Sequence, residues 1–200
     1  MLTWNDFLEN VTRKKIAYIF RGLPGAGKST AVNKLLVQHG VSHEGHVFST
    51  DNHWIPDTRA KRKAGEYVGH QDEKDEYTRN YDPNKTQAAH AGNLSAFKKA
   101  VDNGVSPVIL DNTNFLMSYM RPYVEYAQKA EYEVIIKYPE SDLWKQYYPY
   151  LSDKKKNAKE LEEFAQQLAA RNQHGASLAV IKDMINRWHH APKMEDILKS

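Results

Sequence analysis

Two hundred residues with 40% hydrophobic content are enough for one compact domain with a sizeable core. The absence of cysteine excludes disulfides, thiolate metal sites and a cysteine nucleophile, and is compatible with a reducing, cytoplasmic setting. A formal net charge of +3 permits a phosphorylated or nucleic-acid partner without demanding one.

Met1-Leu2-Thr3-Trp4-Asn5-Asp6 has neither a basic start nor an apolar core, so no secretory signal is expected there. No apolar run approaches the ~20 residues that span a bilayer, so no membrane partner is expected either. Ile16-Ala17-Tyr18-Ile19-Phe20 is apolar and β-rich and predicts a buried first strand. Behind it stand Gly22-Leu23-Pro24-Gly25-Ala26-Gly27-Lys28-Ser29 and Thr30, which fit the phosphate-loop pattern G-x-x-x-x-G-K-[ST] without a mismatch. Ala31, Leu35, Leu36 and His39 then keep helical spacing, predicting a helix over about 28–38. Such a loop brings backbone N–H groups close to a phosphate, and the helix N-terminus adds partial positive charge. In this pattern residues 22–30 bind a nucleoside triphosphate, Lys28 reaches the β/γ-phosphates and Ser29 offers its hydroxyl to Mg²⁺.

His46-Val47-Phe48-Ser49 predicts a second strand ending at Thr50-Asp51. Residues 54–81 form a polar, charged stretch with no steady period. Asp82-Pro83 starts a helix, an N-cap acid followed by proline at the first helical position, and Ala88, Ala91, Leu94, Phe97 and Val101 carry it to Asn103-Gly104. Val108-Ile109-Leu110 predicts a third strand ending at Asp111. Asn114 is expected to cap the next helix, bearing Met117, Met120, Val124 and Ala127. Val134-Ile135-Ile136 predicts a fourth strand. The last third reads as helical. Leu161, Phe164, Ala165 and Leu168 form one stripe that stops near Gly175. Ser177 is expected to cap a final helix bearing Leu178, Ile181, Met184, Ile185 and Trp188, ended by Pro192.

This order predicts an α/β fold with a mostly parallel sheet covered by helices on both faces. In such sheets the ligand lies beyond the carboxyl ends of the strands, where Lys28, Asp51 and Asp111 each follow a strand end. All three are therefore expected in one crevice. A carboxylate at Asp51 could take a proton from an acceptor hydroxyl facing the γ-phosphate; a plain turn or N-cap aspartate is the alternative. Asp111 stands where an acid often holds Mg²⁺ or orients a basic lid residue, or where a turn wants an aspartate. Arg171, before Asn172-Gln173-His174-Gly175, could neutralise transition-state charge, or could be a solvated helix-end cation.

Other features are weaker. Arg59, Lys61, Arg62 and Lys63 with Tyr67 and Tyr77 resemble a mix that tracks single strands, while solvated loops carry such charge runs too. His90 and Asn93 share one helical side. His189-His190 lacks a third ligand and is not expected to hold metal. Lys154-Lys155-Lys156 reads as a solvated loop or helix start, and the Trp and Tyr residues of 144–150 as packing groups.

Together the motifs RGLPGAGKST (21–30), FSTDN (48–52), YDP (81–83), AHAGN (89–93), VILDNTN (108–114), YEVII (132–136) and ARNQHG (170–175) resemble the polynucleotide-kinase branch of P-loop kinases. That branch includes kinase domains carried by certain ubiquitin-ligase-binding proteins. The resemblance covers most of residues 16–188 and implies a P-loop kinase-like domain over 1–200, with an inserted segment at about 54–81 and a lid region at about 150–175. It implies ATP and Mg²⁺ as cofactors and γ-phosphate transfer to a hydroxyl, the 5′-OH of a nucleic-acid end being the best-known acceptor. It maps the base onto Asp51, gives Asp111 a catalytic place, and makes Arg171 the lid arginine over the nucleotide. Two positions depart from the phage-type pattern: Trp54 stands where an arginine grips the substrate phosphate, and Asn52 replaces a second acid. A zeta-toxin-like kinase of a nucleotide sugar or other small molecule, and a non-catalytic ATP-gated binding module, are the alternatives. Protein partners are not legible.

Overall fold

The computed structural model describes residues 14–172 and 175–200, so the N-terminal Met1–Asp6 reading and Gln173 and His174 of the predicted lid lie outside the described residues. Four parallel strands form one sheet: β1 (Ile16–Phe20), β2 (Val47–Phe48), β3 (Val108–Asp111) and β4 (Glu133–Lys137), in the order β2-β3-β1-β4. Side chains alternate across β1. Ala17 and Ile19 pack with Phe97, Val101, Met120 and Val124, from α4 (Thr86–Asp102) and α5 (Met117–Lys129). Tyr18 and Phe20 pack on the other face with Ala31, Val32, Leu35 and Leu36 of α1 (Lys28–His39). The predicted α/β sheet with helices on both faces is present, and all of its described strands are parallel.

A second apolar cluster is helical. It gathers Trp144 and Tyr147 of α6 (Asp142–Tyr147), Leu161, Phe164, Ala165 and Leu168 of α7 (Ala158–Arg171), and Ile181 and Ile185 of α8 (Leu178–Asn186). Leu23 and Ala26 from the phosphate loop belong to it, so the loop rests on this helical core. Among the described residues no helix is long and apolar enough to cross a membrane.

Several local expectations are corrected. Residues 54–81 are not an irregular stretch but a helical hairpin, α2 (Pro56–Lys63) and α3 (His70–Asn80). Its period is invisible because its clasp is polar. Buried Glu76 accepts hydrogen bonds from the Asp57 and Thr58 N–H groups at 2.7 and 2.9 Å, satisfying the first turn of α2. Asp82 does cap a turn before α4, a short 3₁₀ segment over Pro83–Lys85. Gly104, at φ 72°, closes α4 in a Schellman arrangement, with its N–H bonded to Val101 and that of Val105 to Ala100. Asn114 does not cap α5; at φ 47° it donates from Nδ2 to the Phe20 carbonyl and knits the ends of β1 and β3 together. Ser177 caps α8 as expected, but the helix ends at Asn186, before Trp188 and Pro192. Lys154 is no solvated lysine: its Nζ donates to the carbonyls of Asn186 and Trp188 at 2.8 and 2.7 Å, holding that helix end. A further helix, α9 (Met194–Lys199), comes after it.

Arg21 is fully buried where β1 runs into the phosphate loop. Its guanidinium donates to the carbonyls of Asn114, Phe115 and His189 and lies 3.7 Å from the centre of the Trp188 ring. Removing it leaves three inward-facing carbonyls without this donor. Arg21→Met is expected to lower unfolding free energy by about 3–5 kcal/mol, with Arg21→Lys recovering only part, as measured by chemical denaturation. A loss below ~1 kcal/mol would contradict this account.

Candidate active site

The strand register sets the site. Phe20 pairs with Asp111, and Leu110 pairs with both Ile19 and Phe48, so the carboxyl ends of β1, β2 and β3 lie at one level. From that level β1 delivers residues 22–30, β3 delivers Asp111, and the turn after β2 delivers Asp51. Lys28, Asp51 and Asp111 come together as expected. Burial pulls the Lys28 pKa below its ordinary value, and the negative charges of Asp111 and then Asp51 act against that shift. Its Nζ donates to the Leu23 carbonyl at 3.3 Å, bending back over the loop.

Ser29 Oγ donates to Asp111 Oδ2 at 3.2 Å. A hydroxyl and a carboxylate oxygen side by side, next to a phosphate loop, suit a hard divalent cation that keeps several waters and takes phosphate oxygens. Among the described residues no cluster of three or more His, Cys, Asp or Glu could hold a metal alone. The residues present fit Mg²⁺ shared with a bound triphosphate.

Asp51 sits in the first turn of a 3₁₀ segment (Thr50–His53) whose N-cap is Ser49; the Asp51 N–H donates to Ser49 Oγ at 3.3 Å. The turn is tied to β3 by Asn112, whose Oδ1 accepts from the Thr50 N–H at 2.9 Å. Thr50 Oγ1 lies 3.2 Å from His90 Nδ1. Burial lowers the His90 pKa, and Asp51 opposes that shift. Burial, and then the nearby negative charge of Asp51, push the pKa of the Tyr77 phenol, from α3, above its ordinary value. Asn93 turns away and donates to Tyr123 Oη at 3.1 Å, so the expected His90/Asn93 pair is split between site and core.

Trp54 is 3% exposed and packs edge-on against Tyr81, which leaves no substrate grip at that position. Asn52 lies beside Asp51 on the same turn. The basic and aromatic mix of the hairpin is divided. Arg62 pairs with Glu73 at 2.5 Å, Arg59 lies 3.8 Å from Glu44, Tyr67 is 92% exposed, and Tyr77 faces Asp51.

The last turn of α7 lies on the phosphate loop. A Cβ at Gly25, which has φ 74°, would sit 2.5 Å from the Leu168 carbonyl oxygen and 3.1 Å from the Asn172 nitrogen. Arg171, exposed in that turn, is thereby placed beside the loop. The body of α7 is anchored by its buried stripe, so the predicted lid of 150–175 contains a fixed helix. Asn172 bonds Ala176 twice, donating to its carbonyl at 2.9 Å and accepting from its N–H at 2.9 Å.

Three residues escaped the sequence reading, Arg21, Asn112 and Ser141, while Tyr77 was read only as part of a mix that tracks single strands, not as a neighbour of Asp51. Ser141 heads α6 by accepting from the Trp144 N–H and donates to the Ala26 carbonyl of the loop at 2.8 Å. Its capping role is visible as Ser before a helical run; its reach to a loop 115 residues away is not.

The Glu76 clasp gives a pH signature. Burial raises its pKa, but hydrogen bonds from Thr58 and Asp57, with help from Arg79, outweigh that and hold it below the ordinary value of 4.5. Its stabilisation is fully present above pH 4.5 and is lost as pH falls through the lower folded-state value. Hydrogen exchange at the Asp57 and Thr58 amides, corrected for intrinsic rates, is expected to speed up in that acid window. Glu76→Gln is expected to exchange fast at neutral pH with no acid step.

A sequence family described as AAA domain matches residues 18–190. Human NEDD4-binding protein 2 is 28% identical over 199 residues, an alignment covering 96% of this chain and 9% of that protein. The chain thus spans about a tenth of that relative's length.

Proposed function

The chain belongs to the AAA domain family, a P-loop, kinase-like group, and from that premise we propose that it is an ATP- and Mg²⁺-dependent phosphotransferase whose acceptor is the 5′-hydroxyl of a polynucleotide. The observation that carries the reading is the convergence of Lys28, Asp111 and Asp51 beyond three parallel strand ends. A nucleotide switch needs the first two; a carboxylate in the position of Asp51 is needed for transfer to a hydroxyl.

In this reading loop residues 22–30 wrap the phosphates with backbone N–H groups, and Lys28 exchanges the Leu23 carbonyl for the β/γ-phosphates. Ser29 and Asp111 hold Mg²⁺, which supplies neutralisation of the phosphate charge. Asp51 accepts the acceptor's proton as the hydroxyl oxygen bonds to the γ-phosphorus and the bond to the β–γ bridging oxygen breaks, releasing ADP. Arg171 swings from solvent onto the transferring group, and the lid action lies in the last turn of α7.

A second reading keeps the chemistry and changes the acceptor to a nucleotide sugar or other small molecule. The buried Trp54 favours it, since no arginine stands there to grip a strand phosphate. Labelled ATP offered with 5′-hydroxyl oligonucleotides and, separately, with a metabolite pool decides between them. Label found only in small molecules ends the polynucleotide reading, and ATP-tightened partner binding with no labelled acceptor would point to a binding module.

Asp51→Ala is expected to keep ATP affinity and lose transfer by roughly 10²-fold or more; wild-type turnover would refute the base assignment. Arg171→Ala is expected to change stability by under ~0.5 kcal/mol yet cost at least about 10-fold in turnover. An unhydrolysable ATP analogue is expected to raise hydrogen-exchange protection over residues 168–172.

A further inference from the structure

We propose that His90 and Tyr119 form a stacking platform for the nucleobase of the acceptor's 5′-terminal nucleotide, beside the turn that carries Asp51; the inference rests on the polynucleotide reading above.

The ring pair is the outer end of a seam between α4 and α5. Both helices aim their N-terminal ends at the rim where the strands stop, α5 because it follows β3 and α4 because it leads back into that strand. Deep in the seam Phe97 meets Tyr123 edge-on, with centroids 5.1 Å apart. One turn nearer the rim, Asn93 Nδ2 donates to Tyr123 Oη at 3.1 Å. One turn further out, the His90 and Tyr119 rings lie 6.1 Å apart with planes 30° from each other. The inner layers are buried and fix the two helices. The last pair is open: His90 is exposed, and Tyr119 keeps 44% of its surface in water.

The pair is tied to the transfer site and to positive charge. Thr50, next to Asp51 in the chain, places its Oγ1 3.2 Å from His90 Nδ1. Tyr119 in turn meets Phe115 at 5.4 Å with planes 82° apart. The Arg187 guanidinium sits 5.2 Å from the centre of the Phe115 ring, and Asp183 takes one of its N–H groups at 3.2 Å.

Packing accounts for the buried layers of the seam but not for its open pair, since an exposed tyrosine adds little to the core. A nucleobase accounts for it. Every base has a π-face, so stacking on protein rings holds a chain end without reading its sequence. Trp54, at the end of the Asp51 turn, is buried and offers the acceptor no hold. The rings on the α4–α5 side supply one, and the nearby guanidinium complements the charge of a strand.

The base itself is the probe. The full chain is assayed with labelled ATP and a 5′-hydroxyl oligodeoxynucleotide, and with the same oligonucleotide whose 5′-terminal nucleotide is abasic. The wild-type protein is expected to label both, with acceptor KM about 10-fold higher for the abasic one and the KM for ATP within about twofold. Tyr119→Ala is expected to raise the KM of the complete oligonucleotide by about the same factor and to abolish the difference between the two. Tyr119→Phe, which keeps the ring, is expected to stay within about twofold of wild type. Equal acceptor KM values in the wild-type protein, a comparison that needs no variant, overturn the platform while leaving the kinase reading intact. So does a Tyr119→Ala protein that still tells the two acceptors apart. A wild-type protein that labels neither oligonucleotide overturns the platform together with the polynucleotide reading.

Discussion

The contact on which the architecture depends is the burial of the Arg21 guanidinium. A charge withdrawn from water costs several kcal/mol even after relaxation, and here backbone carbonyls compensate it. Two come from the loop after β3 and one from the segment after α8, while the Trp188 ring covers one face of the plane. Arg21 is thus the knot between the sheet, the helical core and the first residue of the phosphate loop. Its own N–H continues the pairing of β1 by donating to the Lys137 carbonyl at 2.8 Å. Lys154 complements it on the same stretch of chain, holding the carbonyls of Asn186 and Trp188.

With the loop's origin fixed, the rest of the site is set by register. Parallel strands end together, so residues far apart in sequence reach one rim without long connections. Asn112 and Asn114 then do similar work in different directions. One holds the turn that carries Asp51, and the other fastens the exit of β3 to β1. The phosphate loop is gripped from both sides, by the Ser141 hydroxyl on Ala26 and by the last turn of α7 against Gly25. The loop therefore stands in its curved form on a prepared bed.

The sequence made the parts with a strong local code legible: the β1–loop–α1 unit, the strand run of β3, the Asn103-Gly104 stop, the Ser177 cap and the stripe of α7. In each, one period or one special residue carries the information. It was silent on the hairpin, because α2 and α3 meet through a carboxylate and backbone N–H groups rather than an apolar stripe, and polar clasps leave no period. Asn114 misled because asparagine serves equally at an N-cap and at a positive φ, and only the path of the chain decides. Lys154 misled because three lysines in a row look solvated, whereas one had found two carbonyls 32 and 34 residues away. Of the candidate site, the meeting of Lys28, Asp51 and Asp111 was readable from strand ends. Tyr77, Asn112 and Arg21 were not, since their partners are set by tertiary contact.

The hairpin's attachment has a consequence for descent. It meets the rest of the chain through the Trp54–Tyr81 contact, the Asn80–Trp54 bond and the Arg59–Glu44 pair, and its Glu76 clasp is internal. None of these touches residues 22–30 or Asp111. Drift along the outer faces of α2 and α3 is therefore free of the constraints on the phosphate loop, and a lineage can vary the hairpin while inheriting the loop unchanged. Two halves that wear at different rates, joined by so few contacts, let one scaffold hold its phosphate loop steady while the hairpin changes around it.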